Sequence, residues 1–236
     1  MNSRQKNILG AIMKEYQKTG QPVASGVLVE NYEFDLSPAT IRAEMLALDD
    51  QGLLEQPHHS AGRVPTTKAY RLFVNEILNA QNLEINDGKR IRKNLAQIDR
   101  EKLFSRDMAQ ILADFSHNLG LSGFFGEDSD FHEAGLSSLF ESIEDEEPKI
   151  FMEILRGFDT LEKRFDYVFD ELEEEVKVFI GEENPIDDFK KLSLVISGYE
   201  FDGQKGFLGI LGPKRMNYAR NIFLVEETKK VLKENK

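Results

Sequence analysis

Four carboxylates lie close together in the sequence and carry the residue types of acid–base catalysis: Glu182, Glu183, Asp187 and Asp188. A pair of carboxylates catalyses proton transfer when a nucleophile, a histidine or a bound metal works beside it. None of these lies near the four in the sequence, and no segment has the Ser/His/Asp, Cys/His or His-Glu-x-x-His pattern. We therefore interpret the four carboxylates as a solvated turn, and we predict no catalytic residues, no enzymatic activity and no cofactor.

Two further motifs could bind small ligands. His58 and His59 are adjacent, but neighbours on an extended strand point to opposite faces and no cysteine completes a metal site, so we predict no bound metal. The stretch Gly203–Gly206 could cradle a phosphate, yet it lacks the Gly-Lys-Ser/Thr sequence that opens a helix in such loops. A hairpin between two β-strands explains these glycines better.

The N-terminal segment has the pattern of a DNA-binding head. Ser37 followed by Pro38 is a strong helix start, and Ile41, Met45 and Leu48 then share one face of the predicted third helix. Two helices are predicted before it, at 4–18 and 25–30, and a hairpin over 53–65 follows it. Three helices and a hairpin within about 65 residues are typical of a winged helix-turn-helix. The predicted DNA contacts are Ser37, Thr40, Arg42 and Ala43 on the helix and His58, His59, Ser60 and Arg63 on the wing.

Each predicted contact has an ordinary structural alternative. The third helix could simply be capped, with Arg42 paired to Glu44 or Glu55, and the wing could be a solvated hairpin tip. The net charge of −12 opposes binding to phosphates. However, residues 1–75 contain eight basic and eight acidic residues, so the whole net charge belongs to the rest of the chain. A neutral head can still present a local basic face, because screening acts over about 8 Å at physiological salt.

The remainder of the chain combines helices with β-strands. Helical spacing predicts a helix over 66–80, a linker over 81–88, one or two long helices over 89–120 and an acidic amphipathic helix over 141–175. Apolar runs at 176–180, 192–196 and 207–211 predict a small, mainly antiparallel sheet, followed by a closing helix over 215–233. Lys214, Arg215 and Tyr218, at the start of that helix, could bind an anion or a small ligand, although packing explains them equally well.

Composition bounds the class of protein. The chain has no cysteine, so disulfides and thiolate metal sites are excluded. No apolar run approaches the roughly 20 residues that span a bilayer, and the first residues lack the pattern of a secretory signal. We expect a cytoplasmic protein without a membrane segment.

Two stretches resemble one known family. Ser37-Pro-Ala-Thr-Ile-Arg-Ala-Glu-Met45, followed by Gln56-Pro-His-His-Ser-Ala-Gly-Arg-Val-Pro-Thr66, is similar to the winged helix of the HrcA family of heat-inducible transcription repressors. Val178-Phe-Ile-Gly-Glu-Glu-Asn-Pro-Ile186, Leu192-Ser-Leu-Val195, Tyr199 and Gly209-Ile-Leu-Gly-Pro-Lys-Arg-Met-Asn-Tyr218 resemble that family's C-terminal signature. His59 stands where the family usually has threonine, and the chain is shorter than usual members, with material missing between about Phe125 and Ala134.

The resemblance implies an α+β chain with three parts. These are a winged helix-turn-helix at 1–80, a linker and long helix at 81–120, and a shortened GAF-like α/β domain at 121–236. It further implies a homodimer that binds double-stranded operator DNA at an inverted repeat, represses chaperone operons and depends on a GroEL-type chaperonin. Two alternatives stay open: a C-terminal domain that senses a small ligand, or a protein-interaction module that does not bind DNA.

Overall fold

The computed structural model describes residues 1–79, 85, 88–96, 105–125, 130–143, 150–158, 172–201 and 203–233. The chain divides into two compact units, Met1–Asn79 and Ala80–Lys236. Among the described residues no helix is both long and apolar enough to cross a membrane.

The N-terminal unit is built from four helices and a two-stranded hairpin. In chain order these are α1 (Ser3–Thr19), α2 (Ser25–Asn31), α3 (Pro38–Asp50), β1 (Leu54–Glu55), β2 (Val64–Pro65) and α4 (Thr67–Leu78). The two strands are antiparallel, with Leu54 opposite Pro65 and Glu55 opposite Val64. Helices α1 to α3 with the hairpin form the predicted winged helix-turn-helix.

Local sequence signals set the helix ends in this unit. Asn2 begins α1 with a reciprocal capping box to Gln5, and Gly20 ends it in the left-handed conformation (φ 66°). The Ser37 hydroxyl caps α3 at the Thr40 amide, and Thr66 caps α4 in the same way. The apolar faces of the helices then meet in one core, whose fully buried members include Ile8, Leu9, Ile12, Leu28, Ile41 and Leu48.

The C-terminal unit contains a five-stranded sheet. Its strands are β3 (Leu119–Phe124), β4 (Asp130–Ala134), β5 (Lys177–Ile180), β6 (Leu192–Phe201) and β7 (Gln204–Pro213). Their order is β4-β3-β7-β6-β5, and every neighbouring pair is antiparallel. The expected α+β class and antiparallel sheet are therefore confirmed.

Helices cover both faces of this sheet. In chain order the helices of this unit are α5 (Gly88–Leu95), α6 (Ser105–Ser116), α7 (Leu136–Ser142), α8 (150–158 within the described residues) and α9 (Tyr218–Lys233). Helix α5 packs on α9, and the other helices lie against the sheet. Helix α6 lies so close to β3 that a Cβ on Gly120 would be 2.0 Å from the Ala109 carbonyl oxygen. Helix α9 packs on β6, where the Tyr218 hydroxyl lies 2.8 Å from Ser193 Oγ. The opposite face joins β6 and β7 to α7 and α8 in one apolar core.

Two predictions about this unit were wrong. The sequence predicted three strands, whereas the described residues contain five, because β3 and β4 were missed. Leu119, which had been assigned to the end of a helix, begins β3. The chain leaves α6 at His117, which adopts the left-handed conformation (φ 56°) and directs the backbone into the sheet.

The predicted acidic helix over 141–175 is also not continuous. Helix α7 ends at Ser142, a second helical segment occupies 150–158, and residues 172–175 are not helical. The remaining positions of that prediction, 144–149 and 159–171, lie outside the described residues, as does most of the predicted linker over 81–88.

Candidate nucleic-acid interface

A buried carboxylate on α1 fixes the turn between α2 and α3. Glu15 accepts hydrogen bonds from Asn31 Nδ2 (3.3 Å) and from the Tyr32 hydroxyl (3.1 Å). Burial, then the hydrogen bond to Glu15 and the negative charge of Glu15, raises the pKa of Tyr32, so the phenol stays a donor at neutral pH. The end of α2 and the start of the turn are therefore tied to α1.

Helix α3 has one buried and one exposed face. Ile41, Met45 and Leu48 are buried in the core, as the sequence predicted. The opposite face exposes Pro38, Ala39, Arg42, Ala43 and Leu46. Ser37 and Thr40, two of the predicted contacts, lie at the first turn, where their hydroxyl oxygens are 2.9 Å apart and Ser37 Oγ accepts from the Thr40 amide (3.1 Å).

Arg42 is the unpaired cation of this unit. Seven of the eight basic residues within 1–79, a range that the structure describes completely, contact an acidic group, a carbonyl oxygen, a ring or another partner: Arg4, Lys6, Lys14, Lys18, Arg63, Lys68 and Arg71. Arg42 has no such contact within that range. Glu44, its expected alternative partner, pairs with Arg4 at 3.2 Å, and no ion pair joins Arg42 to Glu55. The guanidinium is thus free on the exposed face of α3.

The wing is held in shape by a glutamine. Gln56 Nε2 donates to the carbonyl oxygens of His59 (3.2 Å) and Ala61 (2.9 Å), and the Ala61 amide closes a turn onto the His58 carbonyl (2.8 Å). His58, His59 and Ser60 are consequently presented at an exposed tip. The sequence predicted the exposed tip but not the role of Gln56.

Arg63 lies at the base of the wing. Its Nε is 2.8 Å from Asp49 Oδ2 near the end of α3, and its side chain is only 16% exposed. Its backbone exchanges two hydrogen bonds of 2.9 Å with Val23, which lies between α1 and α2. Arg63 therefore ties the wing to both helices of the motif, and its expected phosphate contact remains a prediction. The structure separates Arg63 from the exposed tip residues with which the sequence grouped it.

Two further apolar residues, Ala39 and Leu46, share the exposed face of α3 with the predicted contacts. Ala39 is exposed on the first turn, and Leu46 is 51% exposed two turns further on. The available signal was the position of Leu46, which falls off the stripe of Ile41, Met45 and Leu48 by helical spacing.

The residues predicted to bind a ligand make internal contacts. Tyr218 is buried, and its hydroxyl lies 2.8 Å from Ser193 Oγ and 2.7 Å from the Lys214 carbonyl oxygen. Arg215 donates to the Ser142 carbonyl oxygen at the end of α7 (2.8 Å). These contacts fasten the start of α9 to the sheet and to α7. The ligand-binding role remains a prediction.

The motifs interpreted as structural lie in turns. Glu182 and Glu183 lie in one 3-10 turn, and Asp187 and Asp188 lie in another, where Asp187 pairs with Lys190 at 2.9 Å. Gly203 (φ 79°) lies in the hairpin between β6 and β7. Within the part of the chain that the structure describes, no three His, Asp or Glu side chains converge on a metal position.

Three helices whose last member exposes one face, followed by a hairpin, define a winged-helix DNA-binding protein. Family models identify the particular family. The winged helix-turn-helix DNA-binding model of the HrcA transcription repressor matches residues 1–84, and the model of the HrcA C-terminal domain matches residues 65–222. The chain belongs to the HrcA family of heat-inducible transcription repressors.

Curated relatives agree with this assignment. The heat-inducible transcription repressor HrcA of Natranaerobius thermophilus is 28% identical over 326 positions, which cover 96% of this chain and 94% of the relative. That of Thermodesulfovibrio yellowstonii is 29% identical over 334 positions, with 95% of each chain covered. Both alignments are longer than this chain of 236 residues, so both relatives carry residues within the matched span that this chain lacks.

Other comparisons are shorter or concern the fold alone. The repressor of Geobacter sulfurreducens is 38% identical over 122 residues, which cover 51% of this chain and 36% of the relative. A crystal structure of a hypothetical protein superimposes with a TM-score of 0.76 at 18% identity, covering 98% of this chain and 99% of the other. That similarity supports the fold of the whole chain.

Proposed function

We propose that the chain represses heat-shock operons by binding an inverted-repeat operator as a homodimer in the cytoplasm. The observation that carries this proposal is the exposed face of α3 with its free guanidinium, in a chain of a repressor family. In a helix-turn-helix, the second helix enters the major groove and its N-terminal residues reach the base edges. The α3 helix of each protomer would occupy one half-site, and bound repressor would block polymerase.

The predicted contacts take two roles in this complex. On α3, Arg42 pairs with a base edge, Ala43 lies against the bases, and Ser37 and Thr40 place the helix N-terminus beside a phosphate, where free amides and the helix dipole favour an anion. On the wing, His58, His59 and Ser60 lie along the flanking backbone. Arg63 holds the wing against Asp49 and adds positive charge near the phosphates.

A homodimer matches the symmetry of the proposed inverted-repeat operator. Two recognition helices related by a two-fold axis read an inverted repeat when they are about one helical turn of DNA, or a multiple, apart.

The relatives named above are heat-inducible repressors, and we extend to this chain a thermal control through its C-terminal unit. That unit would lose its native state on heating and recover it with a GroEL-type chaperonin. Equal recovery of operator binding with and without chaperonin after heating would contradict this role.

The first test is binding of the purified chain to its own upstream DNA and to chaperone-operon promoters. We expect a footprint on an inverted repeat, a solution mass of a dimer, and affinity that falls steeply with salt. Weak binding without sequence preference at low salt would instead favour a protein-interaction module.

Arg42→Ala tests the role of α3 directly. It should weaken operator binding by about 1–3 kcal/mol and relax specificity at one base pair. Lys6→Ala is the matched control, because Lys6 lies on α1, carries the same charge and pairs with Glu76. Equal losses in the two variants would show that only net charge matters and would contradict the role of Arg42.

Arg63→Ala separates phosphate contact from support of the wing. If Arg63 meets a phosphate, binding should fall across all sequences and the salt dependence should flatten by about one charge. An unchanged salt slope with weaker binding would leave Arg63 as the residue that positions the wing and would remove the phosphate contact.

A further inference from the structure

The exposed face of α3 is almost entirely apolar. Ala39, Ala43 and Leu46 follow one another at spacings of four and three residues, so they form one stripe along the helix. Leu46 is 51% exposed. Beside this stripe, Arg42 is the one exposed side chain on the first two turns of α3 that offers hydrogen-bond donors without an internal partner, since Ser37 and Thr40 bond to each other.

A stripe of this kind matches one feature of the major groove. Thymine presents its C5-methyl group there, and alanine or another apolar side chain distinguishes thymine by contact with that methyl group. Alanine is also short, so two alanines allow the helix to approach the base edges closely. The polar groups that read other bases by paired hydrogen bonds, such as asparagine, glutamine or a second arginine, are absent from this face of α3, which the structure describes completely.

Charge shows which end of the stripe approaches DNA. The last turn of α3 carries Asp49, which is paired with Arg63, and Asp50, which is exposed. Exposed carboxylates repel phosphates, whereas the N-terminal end of the helix attracts them. Ala39, Arg42 and Ala43 therefore lie deepest in the groove, and Leu46 follows at the shallower end.

We propose that Ala39, Ala43 and Leu46 recognise thymine methyl groups in each operator half-site, with Arg42 as the hydrogen-bonding partner of an adjoining guanine. The inference rests on the proposed function and specifies how that function selects its sequence. Each half-site contains two or three thymines whose methyl groups contribute to affinity, next to one guanine whose O6 and N7 do so.

Replacement of thymine by deoxyuridine tests the inference, because it removes the C5-methyl group and leaves base pairing unchanged. The DNA is the operator that the footprint defines, with both half-sites present. At one position at a time, the thymine is replaced by deoxyuridine in both half-sites, and the affinity of the full chain for each DNA is measured by titration. At two or three positions the affinity should fall about fourfold for each methyl group lost, and at the others it should not change.

Leu46→Ala links the effect to a side chain. It should weaken binding to thymine DNA about fivefold, and the loss should shrink where the DNA already carries deoxyuridine at the position that Leu46 contacts. Leu78→Ala is the control, because Leu78 is also an exposed leucine of the N-terminal unit, at 40% exposure on α4. It should leave both affinities unchanged.

The possible outcomes separate this inference from the proposed function. A sequence-specific footprint with no effect of deoxyuridine at any position would overturn the methyl contacts and leave the repressor intact. Loss of dimer mass in Leu46→Ala with an unchanged deoxyuridine profile would overturn the methyl contact of Leu46, since Leu46 would then be a protein contact. Absence of any sequence-specific footprint would reject the proposed function itself.

Discussion

Gly62, at the base of the wing, is the residue whose substitution should most directly disturb the wing. A Cβ at this position would lie 2.4 Å from the carbonyl carbon and oxygen of Val23 and 2.8 Å from the amide nitrogen of Ala24. These are backbone atoms, so no side-chain rotation can relieve the overlap. In Gly62→Ala the wing must therefore move away from the loop between α1 and α2.

The size of the effect follows from what this movement breaks. Ordinary contact between carbon atoms begins near 3.5 Å, so the wing base must shift by about 1 Å. Such a shift breaks the two backbone hydrogen bonds of 2.9 Å between Val23 and Arg63. At about 0.5–1.5 kcal/mol for each bond, plus about 1–3 kcal/mol for overpacking, we expect local destabilisation of about 2–6 kcal/mol.

Native-state hydrogen exchange of the full chain measures this prediction. The amides of Val23 and Arg63 should lose protection in Gly62→Ala by about the stated free energy, and operator affinity should fall with them. Gly26→Ala is the control, because a Cβ on Gly26 meets nothing within 4 Å and alanine is the better helix former. Unchanged protection at Val23 and Arg63 would refute the reasoning, since the wing base would then accept a Cβ at Gly62 without breaking these two hydrogen bonds.

Two further predictions concern the C-terminal unit. A Cβ on Gly135 (φ 85°) would lie 2.8 Å from the Ala113 side chain, so Gly135→Ala should destabilise the unit by about 2–4 kcal/mol in denaturant unfolding. Gly203→Ala is the control, because Gly203 has a similar backbone (φ 79°) but open space around it, and it should cost about 1 kcal/mol. Equal costs in the two variants would contradict the packing argument. Burial alone would raise the pKa of Glu227, but hydrogen bonds from Arg92 and Lys230 and their charges lower it below its ordinary value of 4.5. The stability that Glu227 contributes is therefore complete above pH 4.5 and is lost as the pH falls through the lower folded pKa. The unfolding free energies of wild type and Glu227→Gln should differ by about 1 kcal/mol at neutral pH, and this difference should vanish in that acidic range. A difference that persists there would contradict this account.

The helices of the N-terminal unit could be predicted because their ends depend on local chemistry. A serine before a proline, a threonine cap and a helix-ending glycine each act within four residues of their own position. Strand β3 gave no comparable signal. Gly120 and Gly123 interrupt its apolar pattern, and the reason for Gly120 is the close approach of α6, a contact that only the folded unit contains. The turn at His117 depends on a left-handed backbone conformation, which a histidine in the sequence does not predict.

The candidate site was predictable to the same extent. The positions of α3 and of the wing could be predicted from motifs. The sequence did not show which basic side chains form ion pairs, because these pairs join residues far apart in the sequence. Arg4 reaches Glu44 forty residues later, and this pair leaves Arg42 free. Arg63 pairs with Asp49 near the end of α3, so a residue that the sequence grouped with the tip lies at the base of the wing.

The strand order of the C-terminal unit has a consequence for its biosynthesis. Strand β3 pairs with β7, and Leu119 lies opposite Leu211. The centre of the sheet therefore cannot form until the residues of β7 have left the ribosome. Contacts between residues so distant in sequence carry a large loop-closure entropy and make folding slow. Until then the apolar surfaces of both strands are exposed to aggregation, whereas the core of the N-terminal unit is built from residues 8–69, which emerge first. The order of the strands thus makes the C-terminal unit the part of the chain that completes its sheet late and stays open to aggregation longest.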